Sequence, residues 1–173
     1  MGMYCELLQV SPAYAQQLIQ EPDRIFDCLE EPDLIEDGAL GEDINLDKAW
    51  HGLHYLLTGT AWGGQEPACY LVTGGEQIGD EVEHDIGYGP ARLLSPAQVA
   101  AFAAITTSLT PAEIQERLNP NEMTQLDIYP EVWSRVGQDA QDNYDYLVEY
   151  ATELQGFLAR ATDQQLSVVI YLI

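Results

Sequence analysis

The segment Val168-Val169-Ile170-Tyr171-Leu172 is apolar at nearly every position. A strand with one face in water alternates between apolar and polar residues, whereas one covered on both faces does not. Ser167 to Leu172 is therefore expected to be a central strand of a sheet with both faces covered. Tyr4 to Val10 and Ala68 to Thr73 have similar aliphatic and aromatic content and are bounded by breakers, so they are read as two further strands.

The helices that cover the sheet are marked by their starts. Ser11-Pro12, Ser95-Pro96 and Thr110-Pro111 each place a capping hydroxyl before a proline at the first helical position. Gln98 and Glu113 stand where they would close capping boxes with Ser95 and Thr110. Helices are predicted over 12–20, 96–108 and 111–118. The text Glu21-Pro22-Asp23 returns as Glu31-Pro32-Asp33, each copy reading as a proline-initiated turn or short helix. Two longer helices, 47–58 and 139–160, follow from apolar stripes of period 3.6. Gly59 ends the first of these. The expectation is an α+β chain, 1–173 forming a single compact domain. It comprises a small mixed sheet of N-terminal, middle and C-terminal strands covered by several helices.

Charge narrows the partners. With 29 acids against 6 basic residues the chain carries −23, and Lys48 is its one lysine. Phosphate backbones and anionic membrane surfaces need basic patches, so neither nucleic acid nor membrane is an expected partner. Between Glu21 and Asp47 eleven acids stand against Arg24 alone, which places −10 of the total in that segment. The opening Met1 to Glu6 lacks a signal peptide's basic and apolar regions, and Glu6 stands where a myristoylation signal needs Ser or Thr. Three widely spaced cysteines, Cys5, Cys28 and Cys69, suit free thiols in a reducing compartment. A cytoplasmic location is expected.

On the 47–58 helix, an advance of 100° per residue puts Lys48, His51, Tyr55 and Thr58 opposite Trp50 and Leu53, with His54 at the boundary. That face is a candidate site for acid–base chemistry or anion contact. Alternatively, the histidines bond to loops and Lys48 answers nearby acids. His51, His54 and His84 offer weak metal-ligand spacing, and Ile35 and Ile44 spoil a calcium loop around Asp33, Asp37 and Gly38, so no metal is expected. Gly74 to Gly79 lacks the lysine and following helix of a phosphate loop and reads as a hairpin or surface loop. In Gly87-Tyr88-Gly89-Pro90-Ala91-Arg92, the arginine suits a ligand carboxylate or, equally, a structural acid. Trp62, Tyr129 and Trp133 stand near Gly or Pro, as pocket walls or as outlying core. No nucleophile elbow, Cys-x-x-Cys or dinucleotide fingerprint is present, and no cofactor is implied.

The stretch from Leu46 to Gly59, the Gly74–Gly79 stretch and the Gly87–Arg92 loop with its Ser95-Pro96 helix together resemble the YfbM-like family, a bacterial domain of unknown function. The opening Met1-Gly2-Met3, Ile128-Tyr129-Pro130 before Trp133, and the C-terminal strand extend the likeness to the whole chain. Glu83-His84-Asp85 departs from the pattern by lengthening the acidic loop. The resemblance implies a compact α/β-type cytosolic domain and carries no activity. If there is a site, the segments bearing it should bring Lys48, Trp50, His51, His54, Tyr55, Tyr88 and Arg92 together. Two functions remain open: a non-enzymatic acidic module, of immunity or inhibitor type, that recognises a basic protein partner, or a small-ligand protein or enzyme using that Lys/His/Tyr/Arg pocket.

Overall fold

The apolar strand Ser167–Leu172 (β5) lies third in a five-stranded sheet of order β2-β1-β5-β4-β3. Its neighbours are Cys5–Val10 (β1) and Arg92–Leu94 (β4), flanked by Leu40–Asn45 (β2) and Glu76–Gln77 (β3). The computed structural model describes residues 2–173. Every pairing is antiparallel, where a mixed sheet was expected. Leu7 sits opposite Ile170 and Leu8 opposite Val169, so alternate residues of both strands feed two separate cores.

One core faces Pro12–Gln20 (α1) and Arg24–Glu30 (α2), with Val10, Tyr14, Leu18, Ile25 and Val169 at its centre. The other takes Leu7, Val168 and Ile170 against five helices. These are Ala49–Thr58 (α3), Pro96–Thr106 (α4), Pro111–Arg117 (α5), Pro120–Gln125 (α6) and Gln138–Asp163 (α7). The sheet is thus the middle layer of three. Val168, Val169 and Ile170 are each fully buried, at roughly 1.5–3 kcal/mol apiece.

The proline starts hold. Ser11, Ser95 and Thr110 each accept a backbone N–H in the first turn of their helix. Ser95 and Gln98 close a reciprocal capping box. Thr110 does not, because the Glu113 carboxylate turns to Arg117 at 3.0 Å, where a full charge outweighs a backbone N–H. Of the two Glu-Pro-Asp copies, the first leads into α2 and the second forms a 3₁₀ turn, Pro32–Leu34.

The middle strand expected over 68–73 is absent: those residues coil into a buried turn. Cys69 accepts the N–H groups of Val72 and Thr73, and the apolar run packs as Cys69, Tyr70 and Leu71, all buried. Its free carbonyls face Arg92 instead of a neighbouring strand. Buried apolar runs of this length are ambiguous between strand and turn, and here the arginine decides.

Candidate functional site

α3 was expected to present one polar face, but it is covered on all sides. Ala49 through Leu56 are buried without a break. Gly52 allows this, since a Cβ there would lie 2.8 Å from Leu147 Cδ2 and 3.0 Å from the Trp133 ring. α7 and the Trp133 segment therefore close on the helix from the side that periodicity assigns to water.

His51 is fully bonded. Its Nε2–H donates to the Ala61 carbonyl at 2.7 Å, and Nδ1 accepts the Tyr129 N–H at 2.9 Å. Burial lowers its pKa, only partly opposed by the Ala61 carbonyl, so the neutral ring serves as a bridge between two loops. His54 is fully buried, and neither ring nitrogen has a hydrogen-bond partner among the described residues. Burial pulls it down to about 4, and the neighbouring His51 pushes the same way. Tyr55 donates to Glu122 at 2.6 Å; burial and that carboxylate both raise its pKa. Trp50 is core, its Nε1–H donating to the Met3 carbonyl at 3.3 Å.

Arg92 meets no carboxylate. Nη1 donates to the carbonyls of Tyr70 and Gly74 at 3.0 Å each, and Nη2 to that of Leu71 at 3.1 Å. Burial lowers its pKa, opposed by the nearby Cys5 and Cys69 thiols. Tyr88 is about half exposed, its N–H extending the sheet to the Leu172 carbonyl at 3.1 Å. Lys48 holds its ammonium 5.7 Å from the centre of the Tyr4 ring, a cation–π contact. It lines a cleft of 490 Å³ with Trp133 and Tyr146. The structure therefore does not gather the seven residues into one pocket. His51 and Arg92 are consumed by backbone groups, while Lys48 and Tyr88 look outward at different places.

Of the pocket-wall aromatics, Trp133 is core, and Trp62 is the exposed one, its ring centre 4.4 Å from that of His51. His84 packs with the α2 core, while His51 and His54 belong to α3 beyond the sheet, so the three histidines do not meet. Asp80, Glu83 and His84 do cluster, with ligand-type atoms within 4.8 Å of one another. His84 Nδ1 already accepts the Asp80 N–H at 3.1 Å, and its Nε2 lies 3.3 Å from Asp23 Oδ1. The imidazole is thus a clasp between loop and helix.

That clasp builds a surface that chain order alone does not reveal. His84 is stacked on Phe26 of α2, ring centres 6.3 Å apart, and holds the loop 80–85 beside the helix. The acids of 21–37 and those of 80–85 are all solvent-exposed, and they come together on the α1–α2 side of the sheet. Arg24 is the one Lys or Arg in these two segments, and Glu21 occupies it at 2.6 Å. The sequence shows both acidic runs. Their meeting depends on a contact across some sixty residues, for which local pattern gives no signal.

The class that the structure defines is a three-layer α+β domain. The family model described as domain of unknown function DUF1877 matches residues 1–171, and the chain belongs to that YfbM-like family. It is similar in structure to the protein of unknown function YfbM from Escherichia coli. The TM-score is 0.73 at 20% identity, covering 98% of this chain and 99% of that one, a likeness of fold. No curated protein matches. No helix among the described residues is long and apolar enough to cross a membrane.

Proposed function

We propose that this protein is a non-enzymatic, cytoplasmic binding module of the immunity or inhibitor type that recognises a basic protein through its acidic α2 face. The observation that carries this reading is the convergence of the exposed acids of 21–37 and 80–85, with their one arginine already paired. A concentrated negative field raises the encounter rate with a basic partner and makes association steeply salt-dependent. It repels phosphate backbones and anionic lipid, which argues against either as a partner. The buried free thiols Cys5, Cys28 and Cys69 support a reducing compartment. The absence of a shared pocket for His51, Arg92 and Tyr88 weighs against the alternative of a catalytic or small-ligand centre there.

The test is affinity capture from cell extract at low salt, run in parallel with the triple variant Glu31→Gln, Asp33→Asn, Glu36→Gln. The reading expects one basic protein, retained by the native chain, released by salt and lost with the variant. Recovery of no basic protein, or equal recovery by the variant, overturns it.

A further inference from the structure

At the edge of the acidic face, sharing its Glu30 and Asp85, a groove of 540 Å³ runs between α2 and the loop 85–87. Its walls are apolar: Phe26 and Leu29 from the helix and Tyr171 from β5, with Ile86 and Ile173 beside them. Three carboxylates from three separate elements line it, namely Glu6 of β1, Glu30 of α2 and Asp85 of the loop. No lysine or arginine lines it. Asp85 commits Oδ1 to the N–H groups of Gly87 and Gly89, and Glu6 commits Oε1 to Asn45, so each keeps a second oxygen for a ligand.

We infer that this groove receives an arginine side chain of the basic partner, the methylene stem against Phe26, Leu29 and Tyr171 and the guanidinium among Glu6, Glu30 and Asp85. The inference rests on the acidic-module reading above and names its anchor. Charge complementarity selects a cation. Carboxylates supplied by three separate elements suit the five fixed donors of a guanidinium better than the point charge of an ammonium. Aromatic walls favour the same choice, since a planar cation stacks on them. An apolar stem is needed as well, because a hydrated metal ion would leave that surface uncovered. Burial, then the neighbouring Asp43, raise the pKa of Glu6, and a bound cation would oppose both.

The experiment follows amide and carboxyl NMR signals of the full chain during titration with N-acetyl-arginine methylamide. The lysine and citrulline analogues serve as comparisons. The expected result is a saturable shift confined to 26–30, 85–87 and Tyr171, with the Glu6 carboxyl titrating at lower pH when arginine is bound. Lysine should bind more weakly and citrulline not at all. Glu6→Gln with Glu30→Gln should weaken arginine binding by about tenfold. Shifts spread across Glu31–Asp37, equal binding of citrulline or lysine, or indifference to the double variant would each overturn the groove.

The two readings fail separately. Glu31→Gln, Asp33→Asn, Glu36→Gln should leave arginine binding within about twofold, since these exposed charges lie outside the groove. If capture depends on that triple variant but not on Glu6 and Glu30, the groove falls and the acidic face stands. If the arginine amide binds as described but no basic protein is captured, the partner reading falls instead.

Discussion

The backbone N–H of Tyr129 donates to Nδ1 of His51 across 2.9 Å, and this bond fixes the proton of the imidazole on the opposite nitrogen. There it reaches the Ala61 carbonyl at 2.7 Å. Two loops distant in sequence thus hang on one neutral ring. His51→Leu keeps the bulk and removes both bonds, leaving the part-buried Tyr129 N–H and Ala61 carbonyl without those partners. The variant should lose about 1–3 kcal/mol in urea unfolding. An unchanged midpoint would show that the loops hold without the bridge.

Arg92 should be as demanding of geometry. Its guanidinium satisfies three carbonyls of the turn that replaces the expected middle strand. Lysine carries the charge but not the planar fork. Arg92→Lys should cost about 2–3 kcal/mol. It should also speed hydrogen exchange in 69–74 more than elsewhere. Uniform exchange across the chain would disconnect the arginine from that turn.

His54 gives a pH signature. Burial holds its folded pKa at about 4, below the 6.5 of a free imidazole, so the unfolded chain binds its proton first. Its contribution is therefore complete above pH 6.5 and is lost as pH falls toward 4, at a scale of about 3 kcal/mol. Unfolding midpoints for the native chain and His54→Phe, compared at pH 7 and 4.5, isolate this term from the carboxylates. The native chain should lose more stability on acidification than the variant. Parallel losses would place the sensitivity elsewhere.

Salt should stabilise the fold. A chain of −23 repels itself, and screening shortens the reach of that repulsion to roughly 10 Å at 0.1 M. The melting temperature should rise from 10 to 500 mM NaCl. The Glu31→Gln, Asp33→Asn, Glu36→Gln variant should begin higher and rise less. A native melting temperature that is flat or falls with salt would show the acidic face to be electrostatically relaxed.

Much of the architecture was readable because its signals are local. Proline after a capping hydroxyl announces α1, α4 and α5, and the unbroken apolar run of β5 announces a buried central strand. The errors share a cause: burial set by distant partners. Tyr70 and Leu71 are as apolar as any strand residues, yet their carbonyls serve Arg92 from a turn. His51 and Tyr55 mark a polar stripe on α3, but Gly52 admits Leu147 and Trp133, and the surrounding layer leaves those two no water, while Lys48 at the N-cap still opens onto a cleft. Of the candidate residues, His51 and Arg92 bond to backbone groups and Trp50 is core, while Lys48 and Tyr88 face outward at different places. The acidic face was half legible: 21–47 stood out, whereas the share of 80–85 required His84 to reach Asp23.

The seat of β5 between β1 and β4 also governs how this chain folds. β1 and β2 are joined by their own neighbourhood, but Leu7 meets Ile170 only by closing a loop of most of the chain. Relative to a ten-residue loop, that closure costs an additional ~2–3 kcal/mol in chain entropy, and contacts of such separation slow folding. Until β5 arrives, β3 and β4 have no bond to β1 and β2, and both cores lack their shared wall. One strand is therefore the wall common to both layers, and without it the sheet divides into two pairs of strands.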